Sequence, residues 1–110
     1  MKTPSHNSRY SAEALALLSS SIRERRIARK ISTTELAKRA GISRTLLYRI
    51  ERGDPGCSIG AVFEVASIAG VVLFEADSSK LTGLLARSSE KLALMPKAIR
   101  EPRTAVKDAF

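Results

Sequence analysis

The sequence predicts an all-α chain of four to five helices, with one short stretch able to form a strand and a last helix used for pairing with a second copy. Three observations carry this. Apolar residues recur at helical spacing from Ala12 to Met95, serines stand at the starts of the periodic runs, and Gly41, Gly53 and Gly70 close them. At 110 residues the chain has enough for one modest core and a short appendage, without metal or disulfide support.

Met1 to Ser11 is polar and unpatterned and reads as a loose arm, either without a role or using Lys2 and Arg9 to reach along an anionic partner. From Ala12 the first helix puts Leu15, Leu18, Ile22 and Ala28 on one face, while Arg23, Arg25, Arg26, Arg29 and Lys30 crowd the others. Ile31 leads directly into a second helix, Ser32 to Ala40, where Ser32 and Glu35 have the spacing of a capping box. Gly41 takes the left-handed backbone that a tight turn requires. A third helix follows from Ser43, its N-cap, to about Arg52.

Within this pair Leu36, Ala37, Ala40, Ile42, Leu47 and Ile50 fall on inner faces, and Ala37 is small where the helices cross. Arg44, Thr45, Tyr48 and Arg49 are left on the outside, all on one side of the third helix. Gly53-Asp54-Pro55-Gly56 is dense turn chemistry. Ser58 caps a fourth helix with Ile59, Val62, Phe63, Ala66 and Ala69 as its apolar residues, and Gly70 ends it. The expected interior is Leu15, Leu18, Ile22, Leu36, Ala37, Ile42, Leu47, Ile50, Val62 and Ala66, with Phe63 and Val62 as its lid.

Val71-Val72-Leu73-Phe74 is β-branched and aromatic between Gly70 and Asp77. It suits either a strand paired with its copy about a two-fold axis or the start of a fifth core helix. Ser78 or Ser79 then caps an amphipathic run with Leu81, Leu84, Leu85, Leu92 and Met95 at helical spacing. Gly83 weakens it by about 1 kcal/mol relative to alanine, and Pro96 ends it. Lys97 to Phe110 is expected to be extended or disordered, with Ile99, Val106 and Phe110 as potential anchors.

The stretch from Ser32 to Gly53, S-T-T-E-L-A-K-R-A-G-I-S-R-T-L-L-Y-R-I-E-R-G, resembles the helix-turn-helix of the Xre/Cro family of bacterial and phage repressors. A looser likeness extends over roughly Leu15 to Gly70. The resemblance implies a lambda-repressor-like domain that binds double-stranded DNA in the major groove. It makes Arg44, Thr45 and Arg49 base readers, with Tyr48 a phosphate or thymine-methyl contact. Thr33, Ser43 and Arg52 are the expected phosphate contacts, and Thr33 stands where many relatives carry glutamine.

The chemistry fits those roles. The first turns of a helix entering the major groove come close enough to touch base edges, and arginine's planar fork matches the O6/N7 edge of guanine. The free N–H groups at the start of the second helix suit a phosphate. One module reads few base pairs, so a homodimer on a palindromic operator is expected, with recognition helices about 34 Å apart. Its interface is expected at Val71, Val72, Leu73, Phe74, Leu81 and Leu85.

Charge agrees with a polyanionic partner. The chain carries net +8, and 12 Lys/Arg against 5 Asp/Glu fall at or before Cys57, so the charge travels with the motif. A single cysteine, Cys57, leaves no intramolecular disulfide and fits a cytoplasmic location, as does the lack of a long apolar run or signal-peptide pattern. His6 stands alone and no metal-ligand spacing or Gly-rich phosphate loop occurs, so neither an enzyme nor a cofactor is expected.

The layout is thus an arm over 1–11, a helix-turn-helix DNA-binding domain over 12–70, a dimerisation strand and helix over 71–95, and a tail over 96–110. This order, with its tail L-M-P-K-A-I-R-E-P-R…K-D-A-F, resembles HipB-type antitoxins, which implies a dimer that represses its own operon and holds a HipA-family kinase toxin. A stand-alone Xre-family repressor and a protein-bridging adaptor with the same fold are the alternatives. Base-reading arginines at 44 and 49 speak against the adaptor.

Overall fold

The computed structural model describes residues 8–100, which contain five α-helices: α1 (Arg9–Ala28), α2 (Thr33–Ala40), α3 (Arg44–Glu51), α4 (Ile59–Ala69) and α5 (Ser78–Ala93). They fall into two compact units, the first ending at Glu75 and the second beginning at Ala76. Residues 1–7 of the expected arm and 101–110 of the expected tail, with Val106 and Phe110, lie outside the described residues.

Each helix start is fixed by a side-chain oxygen accepting from the backbone three residues on. Ser8, Ser32, Ser43, Ser58 and Asp77 do this for the amides of Ser11, Glu35, Leu46, Ala61 and Lys80. The Ser8 cap starts α1 three residues before the expected Ala12. Only half of the expected capping box forms: the Glu35 carboxylate accepts from Arg39 Nε at 2.7 Å, on its own helix, instead of reaching back to Ser32.

Three helix ends use the same device. At Gly41 (φ +70°) and Gly70 (φ +92°) the chain turns left-handed, and the following amides, Ile42 and Val71, donate to Ala37 and Ala66 five residues back at 3.0 and 2.9 Å. The end of α1 makes the identical turn with a lysine in the glycine position. Lys30 sits at φ +58°, and Ile31 N donates to Arg26 O at 3.0 Å.

In the first unit α1 packs on α3 and α4, and α2 packs on α3 and α4. The core holds Ile22, Ile31, Leu36, Ala37, Leu47, Ile50, Val62, Val65, Ala66 and Ala69. Leu18 and Ile42, expected inside, are half-buried against it. Leu15 is also half-buried, Ala28 is exposed at the end of α1, and Ile59 is 71% exposed in the first turn of α4. Ile31 and Val65 take inner places instead, because the turn at Lys30 swings Ile31 inward and α4 buries a wider face than one stripe.

Val71–Phe74 forms no strand, and none occurs among the described residues. The left-handed Gly70 sends Val71 and Leu73 back against the core of their own unit, and Leu73–Glu75 close a single 3-10 turn with Phe74 and Glu75 at φ +56° and +51°. Alternation in sequence here means in and out of one core, not two faces of a sheet. The Phe74 ring, though largely exposed, meets Phe63 edge-on at 6.4 Å between centroids.

In the second unit, Asp77 and not Ser78 or Ser79 caps α5. No residue of the helix is buried, and Leu81, Leu85 and Leu92 are 41%, 68% and 63% exposed. Ala93 ends it, three residues before Pro96, and residues 96–100 form no regular element.

Candidate nucleic-acid interface

Helix α3 is short, and its position is set by what it buries. Leu47 and Ile50 enter the core, and the outward arc opposite them centres on Thr45 and Arg52, with Arg44 and Tyr48 on one flank and Arg49 on the other. Two contacts with α1 fix the C-terminal end. Ser19, buried in α1, donates from Oγ to Ile50 O at 2.8 Å. Arg26 donates from Nε and Nη2 to the two Glu51 oxygens at 2.7 and 3.0 Å, and from Nη1 to Ile31 O at 3.1 Å.

The start of α2 and the outer side of α3 enclose an open hollow of about 450 Å³ lined by Thr33, Arg44, Thr45, Tyr48 and Glu51. Four of the seven expected DNA-contact residues therefore meet in one place. Arg52 joins them from above, its guanidinium carbon 4.6 Å from the Tyr48 ring centroid. Ser43 lies at the α3 N-terminus, where its Oγ accepts from Leu46 N at 3.0 Å and its O–H remains able to donate.

Arg49 is not in the hollow. It lies on the far flank of α3, half-buried, and donates from Nε to Asp54 Oδ2 at 2.7 Å. Arg49 thus stands at the opposite edge of the same outward arc, beside the carboxylate that the turn after α3 brings to it. Asp54 is itself anchored: its amide donates to Arg49 O at 3.1 Å and Oδ1 accepts from Gly56 N at 2.8 Å.

The electrostatics follow from these bonds. Hydrogen bonds from Arg49, then from the Gly56 amide, hold the Asp54 carboxyl below its usual range, and the same bond to Asp54 raises Arg49 further. The Arg39 hydrogen bond lowers Glu35 likewise. Arg44 has no such neighbour in the hydrogen bonds and ion pairs of the described residues, and it is exposed.

The residues expected at a dimer interface are placed in two groups. Val71 and Leu73 are half-buried against their own core, whereas Val72 and Phe74 are 64% and 70% exposed. Leu81 and Leu85 are exposed on α5.

Arg26, Glu51, Ser19 and Asp54 join this arrangement from outside the expected contact residues, and their spacing carries a signal for it. Ser19, Ile22 and Arg26 share one face of α1 by spacing, so two polar residues on a core-facing stripe called for buried partners. Asp54, two residues after Arg52, has the short side chain that bonds the backbone two residues ahead in a turn.

Among the described residues no helix is long and apolar enough to cross a membrane. Neither curated proteins nor solved structures gave a match to the chain. Residues 17–75, from α1 to the end of the first unit, match the model of a helix-turn-helix domain. That span is more than half of the 110 residues and contains the hollow and every contact that shapes it, so the chain belongs to the helix-turn-helix domain family, whose common activity is DNA binding in transcription regulation.

Proposed function

We propose that this chain is a sequence-specific transcriptional repressor that binds a palindromic operator as a dimer, with α3 in the major groove. The observation that carries this is the convergence of Thr33, Arg44, Thr45 and Tyr48 on one open hollow at the α2–α3 junction. Arg44 and Thr45, at the first two positions of α3, contact base edges together with Tyr48. Thr33, Ser43 and Arg52 contact phosphates on either side. The excess of basic residues up to Cys57 supplies the sequence-independent attraction.

The dimer is proposed to form through the exposed apolar side of α5, including Leu81 and Leu85, and Val72 and Phe74 are proposed as separate contacts offered by the first unit. Resemblance to HipB-type antitoxins adds a second partner, a HipA-family kinase encoded beside this chain. The experiment is a gel shift with purified protein on its own upstream DNA, with and without the neighbouring gene product. A specific shift that the neighbour tightens or supershifts supports an autoregulating antitoxin. A specific shift indifferent to the neighbour leaves a stand-alone repressor, and no specific shift overturns the proposal in favour of the adaptor.

A further inference from the structure

We infer that Asp54 is a positioning residue for sequence readout: it holds Arg49 by Nε and so presents the free end of that guanidinium as a fork for a guanine edge. The inference rests on the placement of α3 in the major groove proposed above. It makes one residue outside the helix-turn-helix pair responsible for specificity at one base position.

The geometry is that of a clamp. Arg49 reaches Asp54 Oδ2 through Nε at 2.7 Å, while its Nη1 and Nη2 make no hydrogen bond among the described residues. A guanidinium carries one N–H on Nε and four on its terminal nitrogens. Binding at Nε therefore leaves the two terminal nitrogens without a hydrogen-bond partner, Nη2 lying over Gly56 where glycine, without a Cβ, leaves room for it, and that two-nitrogen end is the one that pairs with O6 and N7 of guanine.

The carboxylate is a fixed post and not a passing counter-ion. Its other oxygen accepts from Gly56 N at 2.8 Å, and its own amide donates to Arg49 O at 3.1 Å, so Asp54 is tied to the backbone of the residue whose side chain it holds. Both side chains are only part-exposed, at 41% for Arg49 and 30% for Asp54. An arginine free to sweep finds phosphates as readily as bases, whereas one held in a single plane has paid its ordering cost before DNA arrives. The negative charge of Asp54 further disfavours a phosphate at that place.

The test compares the wild type with Asp54→Asn, Arg49→Ala and the double variant on a set of duplexes in which each operator base pair is changed in turn, alongside unrelated duplex DNA. Asp54→Asn keeps an acceptor for Gly56 N and loses the charge. Expected is a loss of preference of about fivefold or more at one G·C position, the same position that Arg49→Ala flattens. The double variant should be no worse there than Arg49→Ala alone. Asp54→Glu, which retains the charge, should restore part of the preference.

Loss at a different position, additive losses, or unchanged base preference with tighter binding to unrelated DNA would each overturn the inference, the last by showing that Asp54 only withholds Arg49 from phosphates. A wild type with no operator preference would overturn the groove placement of α3 and this inference together. Operator preference that survives Asp54→Asn at every position overturns this inference alone.

Discussion

Arg26 and Glu51 form a two-pronged ion pair between the last turn of α1 and the last residue of α3, with side-chain exposures of only 13% and 8%. The third arm of Arg26 takes Ile31 O, so one guanidinium ties the end of α1, the entry to α2 and the end of α3. Glu51 also lines the hollow between α2 and α3. The pair therefore joins the fold to the surface proposed to meet DNA.

Removing one partner should be costly, since the other is left almost buried without compensation. Arg26→Ala is expected to lose about 3 kcal/mol of unfolding free energy. Replacing both, as Arg26→Met with Glu51→Leu, should recover much of that loss because no lone charge remains. Urea denaturation of the wild type and the two variants checks it. Equal losses for the single and the double variants would mean that packing, not charge, is what the pair supplies.

How much of this was legible can be judged residue by residue. The caps at Ser32 and Ser43, the left-handed Gly41 and the buried Leu36, Ala37, Leu47 and Ile50 all depend on chemistry within a few positions, and the sequence carried them. Val71–Phe74 was open between strand and helix, and became neither, because the decision rests on where Gly70 sends the chain relative to a core already formed. Arg26–Glu51 spans 25 residues and Arg49–Asp54 crosses a turn whose shape is set by Gly53 at φ +78°, so local spacing marks Arg26 and Asp54 as needing partners but does not say which residues those are.

Lys30 marks a place where the chain carries strain without an evident reason for it. It occupies the left-handed position that glycine fills at the ends of α2 and α4, and a side chain there costs free energy that glycine does not. Lys30→Gly is expected to stabilise the first unit by about 0.5–1 kcal/mol, the relief of strain outweighing the added freedom of the unfolded chain. The measurement is a shift of the urea midpoint at constant slope. A destabilised Lys30→Gly would place a stabilising role on the lysine side chain itself.

Acid should release Arg49 before it unfolds anything else in the turn. The Asp54 carboxyl lies below its ordinary value of 3.8 because Arg49 and the Gly56 amide bond its charged form. A depressed folded value means that the contribution of this contact is complete above the unfolded value and is lost as pH falls through the folded one. The Gly56 amide resonance should therefore move on acidification with a midpoint below 3.8. Arg49→Ala should shift that midpoint upward. A midpoint at the ordinary value in the wild type would mean that the ion pair does not persist in solution.

The division of α3 into base readers and phosphate contacts predicts different behaviour with salt. Arg44 opens the hollow with no acidic partner among the described residues, so Arg44→Ala should cost about 1–3 kcal/mol on the operator and little on unrelated DNA. Arg52, stacked on Tyr48, is proposed to neutralise a phosphate. Arg52→Ala should weaken both DNAs alike and reduce the slope of log K against log salt by about 1. Thr33 has no charge to exchange for counterions, so Thr33→Ala should weaken both DNAs with the slope unchanged. Titrations of the three variants at several salt concentrations separate these patterns. Identical losses for all three, with one common slope, would show that the hollow is a nonspecific basic surface and that sequence is read elsewhere on the chain.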